Sequence, residues 1–257
     1  MLNELKNKVL NGYRLSKADC LSLINFPVDS LCKYADEIRN YFCGNVFDIC
    51  TIINGKSGNC SENCKYCAQS INFKTGITTY PLLDKNTILK DAKYNEIKGI
   101  VRYSIVTSGK KLPSKDLDKL CDIYTTIKKE SSISLCASHG LLTYNDFLKL
   151  KDSGVTRYHN NLETSRRFFP EICTTHFYDE KIRTIKDAQK AGLEVCSGGI
   201  LGLGETMEDR IDMALDLRSL GIKSIPINIL NPIKGTALEN NPPLSKEEIL
   251  KSIAIFR

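Results

Sequence analysis

Three cysteines lie close together in one polar segment of the chain. Cys60, Cys64 and Cys67 are spaced C-x3-C-x2-C in the run GNCSENCKYC. Thiolate sulfur is a soft ligand that suits zinc or iron–sulfur clusters, but a closed structural zinc site needs four ligands, usually from two separated pairs. Three cysteines without a fourth nearby favour a cluster with one open iron, where a substrate or cofactor binds. Zinc remains an alternative at this point.

The chain contains 11 cysteines, an odd number. Its N-terminal segment mixes charged residues with leucines and shows neither the apolar stretch nor the cleavage site of a secretory signal. We therefore expect a cytoplasmic protein whose thiols are metal ligands, redox groups or small core residues rather than disulfides. Those with helical surroundings are predicted to be packed core residues: Cys20, Cys32, Cys43 and Cys121.

The overall composition excludes several classes of protein. The chain has 257 residues, of which 42% are hydrophobic and 26% charged, which argues against wholesale disorder. No apolar run approaches the roughly 20 residues that span a bilayer. The net charge of +6 comes from scattered basic residues, so we expect no nucleic-acid partner and no membrane association.

The elements that position these cysteines form a repeating pattern. Six β-rich runs are predicted at 46–53, 100–106, 133–137, 155–162, 193–200 and 222–230. Helical patterns follow them at 85–98, 114–130, 143–152, 178–191, 206–220 and 245–256. Gly99, Gly154, Gly192 and Gly221 stand where a helix would end and the next strand begin. This alternation predicts an α/β fold with a parallel sheet.

Polar residues follow the predicted strands at their C-terminal ends, where (β/α) barrels place their active sites, so a TIM-type barrel is favoured over an open sheet. Residues 1–43 carry helical patterns and are predicted to form an N-terminal helical extension to a barrel domain at 44–257. The strands recur about every 35 residues, so only about six β/α units fit. We therefore expect a partial barrel or one truncated at its C-terminus.

The cysteine spacing, with an aromatic residue directly before the third cysteine, resembles the radical S-adenosylmethionine (SAM) superfamily. Within it, several runs resemble the biotin synthase family: CKYCAQS from Cys64, KTG from Lys74, YHNNLETS from Tyr158, VCSGGI from Val195 and GLGE from Gly202. The resemblance implies a 4Fe-4S cluster on the three cysteines and SAM on its open iron. It also implies sulfur insertion into dethiobiotin, an electron donor such as flavodoxin or ferredoxin, and a homodimer.

The resemblance also implies roles for particular residues around SAM and the substrate. Tyr66 would pack near the adenine, and Asn161 and Glu163 would contact the SAM ribose and the substrate. Lys181 stands where the family usually has an arginine for the SAM carboxylate; lysine keeps the charge but loses the bidentate fork. Further positions match the segment beside the adenine, Gly199, Ile200 and Gly202, and the substrate-binding amide, Asn228.

A second, auxiliary iron–sulfur cluster is implied by the same resemblance. Cys136 and Cys196 match two of its ligands, whereas the third matching position is Ser104, a hard and poor ligand for iron. The arginine that serves as fourth ligand in the best-described form would lie beyond Arg257. Some family members carry a cysteine on the first strand instead, so Cys50 is the predicted third ligand and Cys173 an alternative. The type of this cluster stays open.

The sequence leaves two other functions open. One is another radical SAM enzyme of the related maturase group, which shares the barrel and the cysteine loop. The other is an inactive truncated copy with exposed apolar surface. The three histidines, His139, His159 and His176, are predicted to be structural or to support neighbouring ligands, because radical hydrogen abstraction needs no histidine base.

Overall fold

The computed structural model describes residues 1–257 and contains ten helices and seven strands. In chain order they are α1 (Leu2–Leu10), α2 (Lys17–Leu23), α3 (Val28–Cys43), β1 (Cys50–Lys56), α4 (Lys85–Ile97), β2 (Arg102–Thr107), α5 (Ser114–Glu130), β3 (Ser134–Ser138), α6 (Tyr144–Asp152), β4 (Val155–His159), α7 (Phe169–Ile172), α8 (Tyr178–Lys190), β5 (Glu194–Cys196), β6 (Gly199–Leu201), α9 (Met207–Ser219), β7 (Ile227–Ile229) and α10 (Lys246–Phe256). The predicted helices are confirmed to within two residues at each end.

The sheet is parallel throughout, as the alternation of strands and helices predicts. Strands β1 to β5 pair in sequence order, and β6 pairs with β7. Isolated parallel bridges from Cys196 to Ser224 and from Glu163 to Gly199 link the two sets. Helices α4, α6 and α8 pack against β1, β4 and β5. The predicted α/β class is therefore confirmed.

The strand register determines which side chains face the interior of the curved sheet. Ser104 pairs with Cys136, and Cys136 pairs with Arg157. Residues in register on parallel strands point to the same face, and their chain neighbours point to the other. Tyr103 and Leu135 accordingly lie in the core between sheet and helices, where each is at most 2% exposed.

The fifth predicted strand is in fact two short strands. β5 ends at Cys196 and β6 begins at Gly199, because the intervening backbone bonds to other partners. Gly198 N–H donates to the side chain of Asn161 at 2.9 Å, and Ser197 N–H donates to the carbonyl of Ser224 at 3.1 Å. The prediction of six strands was wrong in this detail. A hydrophobic pattern does not show where a side chain or a distant carbonyl takes the place of a neighbouring strand in bonding to backbone N–H groups.

The first and last predicted strands also differ in extent. β1 begins at Cys50, where its pairing with Arg102 starts, and leaves Val46 and Phe47 exposed. β7 is limited to three residues because Pro226, directly before it, has no N–H to donate to a ladder.

The N-terminal residues form three helices that pack on the end of the chain. Ser16 caps α2, and its side chain forms a capping box with Asp19. Apolar residues of α2 and α3 meet those of α9 and α10 in a small second core, which consists of Cys20, Leu23, Leu31, Ile211 and Ile255. The boundary at residue 43 between an extension and a barrel domain stays a prediction. No helix in this structure combines the length and apolar character needed to cross a membrane.

Candidate active site

The cysteine loop follows β1, at the carboxyl end of the sheet. Cys60 N–H donates to the Gln69 carbonyl at 3.0 Å, and Ile71 N–H donates to the Cys60 carbonyl at 2.9 Å. Cys67 N–H donates to the Cys64 carbonyl, also at 2.9 Å. These bonds fold the loop back on itself, so the three predicted cluster ligands lie on one short turn.

The three thiols are withdrawn from solvent but free of disulfides. Cys60 is buried, and Cys64 and Cys67 are half-buried. Burial raises the pKa of Cys67, and the neighbouring Cys60 raises it further. A group that must be deprotonated to ligate a metal exchanges its proton for the metal ion. Three free thiols on one turn, with no fourth on the same loop, fit a cluster that leaves one iron open.

Glu163 and Asn161 lie in the loop after β4 and are held by the neighbouring backbone. Glu163 N–H donates to the Gly198 carbonyl at 3.1 Å, and Ile200 N–H donates to the Glu163 carbonyl at 2.8 Å. Asn161 accepts from Gly198 N–H and donates to the Glu163 carboxylate at 3.4 Å. Burial raises the pKa of Glu163, opposed by the positive charge of Lys181. The carboxylate is thus fixed close to the cysteine loop, and Tyr66 opposes the rise of its pKa.

Lys181 projects from α8 into the same region. Only 8% of the residue is exposed, and its charge acts on the pKa values of Cys64 and Glu163. No carboxylate oxygen lies within 4.0 Å of its ammonium group, so it forms no ion pair. A buried cation without a partner favours an anionic ligand, such as the carboxylate of an amino acid.

The glycine-rich segment beside Glu163 is required by packing. A Cβ at Gly198 would lie 1.8 Å from the Pro226 carbonyl oxygen, and one at Gly199 would lie 2.5 Å from the Glu163 carbonyl oxygen. Glu205 accepts from the N–H groups of Gly202 and Leu203 at 2.9 and 2.6 Å. The segment is therefore rigid, and its role beside an adenine stays a prediction.

A separate cavity of about 640 Å³ lies inside the curved sheet. Its lining includes the three leading candidates for auxiliary-cluster ligands, together with Ser104 and one of the two predicted substrate-binding amides: Cys50, Cys136, Cys196 and Asn228. The other predicted amide, Asn161, does not line it. Burial raises the pKa of Cys136 to about 11; Ser104 opposes this by a hydrogen bond, and Cys50 and Cys196 add to it. The three thiols therefore lie close enough to influence one another.

Two arginines lie in this cavity that the sequence reasoning missed. Arg102 is in register with Cys50 on the neighbouring strand, and its buried Nε has no hydrogen-bond partner. Arg157 is in register with Cys136 and donates to Glu194 at 3.0 and 2.8 Å. Burial raises the pKa of Cys50 and that of Cys196, and the positive charges of the two guanidinium groups oppose this rise. Their spacing is the signal that could have found them, because each stands two residues from Ser104 or His159 on the same strand and so faces the same side of the sheet.

Comparison with known proteins assigns the chain to a family. A model described as Radical SAM superfamily matches residues 56–217, and one described as Biotin and Thiamin Synthesis associated domain matches 226–257. A curated biotin synthase of Clostridium botulinum (strain Alaska E43 / Type E3) is 60% identical over 257 residues, which cover 100% of this chain and 81% of that protein. The chain belongs to the biotin synthase family. A biotin synthase of Akkermansia muciniphila is 56% identical over 257 residues, covering 100% of this chain and 80% of the relative.

Solved structures show the fold. Methylornithine synthase (PylB) superposes with a TM-score of 0.87 at 20% identity, over 98% of this chain and 75% of that one. HydG, a maturase of the [FeFe]-hydrogenase, superposes with a TM-score of 0.85 at 20% identity, over 99% and 60% of the two chains. The predicted TIM-type radical SAM barrel is thereby confirmed. The maturase resembles this chain in fold alone, whereas the biotin synthases match the whole of this chain in sequence, so this chain is a radical SAM enzyme of the biotin synthase family.

The structure corrects one of the alternatives that the sequence left open for the ligands of the auxiliary cluster. Cys173, considered as an auxiliary-cluster ligand, is not in the interior cavity. Its Sγ lies 3.7 Å from that of Cys64, in the turn between α7 and α8. The hydrogen bond from Cys64, followed by one from His176, lowers the pKa of Cys173 to about 3, and the same contact raises the pKa of Cys64. Cys64 and Cys173 are 109 residues apart in the chain, so their contact could not be predicted from a local sequence pattern.

The three histidines occupy different surroundings. His139 is fully buried, with Nδ1 3.0 Å from Thr107 Oγ1 and Nε2 3.0 Å from the Tyr124 hydroxyl. Burial lowers the pKa of His139 to about 3 and that of His159, which lines the interior cavity, to about 4. His176 contacts the Cys173 thiol at 3.2 Å. Both nitrogens of His139 are occupied within the core, so its role is structural.

Proposed function

We propose that this enzyme converts dethiobiotin to biotin by inserting sulfur between C6 and C9. The observation that carries the proposal is the presence of two separate groups of three thiols, one on the loop after β1 and one inside the barrel. The first fits a 4Fe-4S cluster, and the second fits an auxiliary iron–sulfur cluster that provides sulfur. A single redox site would need only one of them.

The residues around the first group would bind and orient SAM. The cluster with SAM supplies, when bound, a radical that abstracts hydrogen from an unactivated carbon. Glu163 offers a carboxylate that accepts from two ribose hydroxyls, and Lys181 offers an unpaired cation for the SAM carboxylate. Tyr66, half-buried beside Glu163, covers the adenine side and helps to exclude water. Gly199, Ile200 and Gly202 line that side as a rigid backbone edge.

The interior cavity would hold both the auxiliary cluster and the substrate. A volume of about 640 Å³ lies within the range of small-molecule sites. Cys50, Cys136 and Cys196 are the proposed ligands, and the hydroxyls of Ser104 and Ser224 would donate to or accept from that site. The amide of Asn228 would both donate to and accept from the ureido ring of dethiobiotin. Asn161 connects this region to Glu163.

The proposal extends to partners and organisation. We expect flavodoxin or ferredoxin as the electron donor, a homodimer in solution and a cytoplasmic location. We further propose that residues 1–43 are an extension of a catalytic domain at 44–257. Sedimentation of the reconstituted protein tests the dimer, and reduction of its clusters by either donor tests the electron source.

The decisive experiment is anaerobic reconstitution with iron and sulfide, followed by incubation with SAM, a reductant and dethiobiotin. We expect both 5'-deoxyadenosine and biotin. Cleavage of SAM without biotin would retain radical SAM chemistry but reject dethiobiotin as the substrate. Neither product from protein with intact clusters would overturn the proposal.

The ligands of the auxiliary cluster are tested by Cys50→Ala. We expect this variant to lose the iron and sulfide of one cluster per chain and its visible absorption. Cys43→Ala is the matched control, because Cys43 is also exposed but lies on α3 outside both groups. Unchanged auxiliary absorption in Cys50→Ala would remove Cys50 from the ligand set.

A further inference from the structure

Four side chains that can ligate a metal lie beside the cysteine loop. One of them, Cys64, is also a proposed ligand of the 4Fe-4S cluster, and the other three belong to neither proposed cluster. The ligand atoms of Cys64, Cys173 and His176 all lie within 4.8 Å of one another. Glu62 Oε2 lies 2.5 Å from His176 Nδ1. Glu62, Cys173 and His176 are each at most 6% exposed. Two sulfurs, one imidazole nitrogen and one carboxylate oxygen are a donor set that zinc takes in proteins.

The distances between the donors match a tetrahedral metal. Two thiolates on one tetrahedral zinc, each about 2.3 Å from it, are about 3.8 Å apart, and a thiolate and an imidazole nitrogen are about 3.6 Å apart. The Sγ atoms of Cys64 and Cys173 are 3.7 Å apart, and Cys173 Sγ is 3.2 Å from His176 Nδ1. Cys64, Cys173 and His176 therefore lie close to the arrangement that one metal centre needs. Glu62, whose Oε2 now contacts His176 Nδ1, would turn from the imidazole to the fourth position.

The two segments that supply these donors are joined by bonds that do not involve the donor atoms. Asn63 Nδ2 donates to Thr174 Oγ1 at 2.6 Å, and Thr174 N–H donates back to Asn63 Oδ1 at 3.0 Å. Lys65 N–H donates to the Ile172 carbonyl at 2.9 Å. The cysteine loop and the turn between α7 and α8 are therefore held in register before any metal binds. Such preorganisation lowers the cost of metal binding.

We propose that the cluster-free protein binds one Zn²⁺ through Cys64, Cys173, His176 and Glu62. Because Cys64 also belongs to the proposed cluster site, zinc and the 4Fe-4S cluster exclude each other. The zinc site itself depends only on the four donors, whereas this competition rests on the proposed function. Removal of Cys173 would leave all three proposed cluster ligands in place.

The test is titration of the anaerobic, reduced, cluster-free chain with Zn²⁺ against a chromophoric chelator, and with Co²⁺ as a spectroscopic probe. We expect one tight site and the visible and thiolate charge-transfer bands of tetrahedral Co²⁺ with two sulfurs. Cys173→Ala and His176→Ala should each weaken Zn²⁺ binding by about 100-fold or more, since even loss of an outer partner costs 10–100-fold. Cys121→Ala, a half-buried thiol on α5, is the matched control and should change it less than twofold.

The competition is measured as the rate of cluster assembly after zinc loading. Zinc should slow the rise of iron–sulfur absorption at least tenfold in the parent chain and have little effect in Cys173→Ala. Zinc binding that is lost in Cys60→Ala and Cys67→Ala but kept in Cys173→Ala would place the metal on the loop cysteines and overturn the proposal. Zinc binding that depends on Cys173 in a chain that assembles no cluster would support the zinc site and reject the proposed function.

Discussion

At the scale of single residues, Glu163 combines three features that are costly alone. Its backbone has φ of +73°, which a side chain with a Cβ rarely adopts. Its carboxyl is withdrawn from water, which raises its pKa. Its carbonyl and N–H are both engaged by the segment around Gly198. Strain of this kind persists where surrounding structure determines it, and it concentrates at functional sites.

Glu163→Gln should weaken SAM binding without unfolding the chain. Glutamine has nearly the same shape and tolerates the same backbone, but it loses the charge that strengthens hydrogen bonds to ribose hydroxyls. Bonds to a charged group contribute about 1.5–3 kcal/mol, so we expect the Kd for SAM to rise about 10- to 100-fold. Equilibrium dialysis of the reconstituted enzyme measures it, with Glu171→Gln on α7 as control. Equal Kd values for Glu163→Gln and the parent would reject the ribose role.

His139 makes the stability of the protein depend on pH. Its pKa is about 3 in the folded chain, below the ordinary 6.5, because burial disfavours the charged form. Between these values the unfolded chain binds a proton that the folded chain does not, so stability falls as the pH is lowered through this window. We expect up to about 1.4 kcal/mol per pH unit from this residue. Urea unfolding at pH 6 and pH 5 should show a smaller pH effect in His139→Gln, while His159 contributes equally to both proteins. The same slope in the two would contradict this assignment.

At the scale of elements, the break between β5 and β6 brings the loop after β4 into the wall of the barrel. Asn161 occupies the position that a strand partner would take, by accepting from Gly198 N–H. The Glu163 carbonyl then continues the pairing with β6. This arrangement places side chains from the β4 loop between the cysteine loop and the interior cavity. A continuous strand at 193–200 would leave no room for it.

Gly198→Ala should destabilise the barrel at this junction. The added Cβ would lie 1.8 Å from the Pro226 carbonyl oxygen, a backbone atom that cannot rotate away. Overpacking costs about 1–3 kcal/mol or more, and it would also displace Asn228 on the adjoining strand. Gly99→Ala, directly after α4, is the control: a Cβ there meets nothing within 4 Å, and the positive φ of +79° should cost only about 1–2 kcal/mol. Denaturant unfolding measures the loss of unfolding free energy in the two variants. Equal losses would show that the backbone around Gly198 moves to accommodate the added Cβ.

At the scale of the whole molecule, both ends of the chain share one small core. Leu31 of α3 and Ile255 of α10 belong to it together with Ile211 of α9. Lys17 adds ion pairs at 2.7 and 2.8 Å to Glu208 and Asp212 on α9. These exposed ion pairs contribute little, so apolar burial provides most of the attachment.

Leu31→Ala should lower the stability of the whole protein rather than release the N-terminal helices alone. Truncation of a buried leucine costs about 2–5 kcal/mol. If residues 1–43 unfold together with the barrel, the single unfolding transition will move to lower denaturant without a change in slope. Tyr41→Ala, at a position 66% exposed on the same helix, should leave it within about 0.5 kcal/mol. A new early transition in Leu31→Ala would instead show that the extension unfolds by itself.

The local part of this structure was predictable from the sequence. Helix ends followed from caps and terminal glycines, and Gly99, Gly154, Gly192 and Gly221 all have positive φ at their junctions. The cysteine loop and the inward positions of Cys136 and Cys196 also followed from spacing and alternation. Caps, glycine conformations and side-chain periods depend on neighbours a few residues away, and a pattern records those directly.

Contacts between distant segments were decided only by the tertiary structure. Cys173 was predicted as a candidate for the interior site, yet it lies beside Cys64, and Arg102 and Arg157 entered the cavity without having been predicted. The division of the fifth strand likewise depends on Asn161 and Pro226, each about 30 residues or more from the break. Packing between segments depends on register and curvature, which no local pattern specifies, because residues far apart in the chain must meet before their side chains interact.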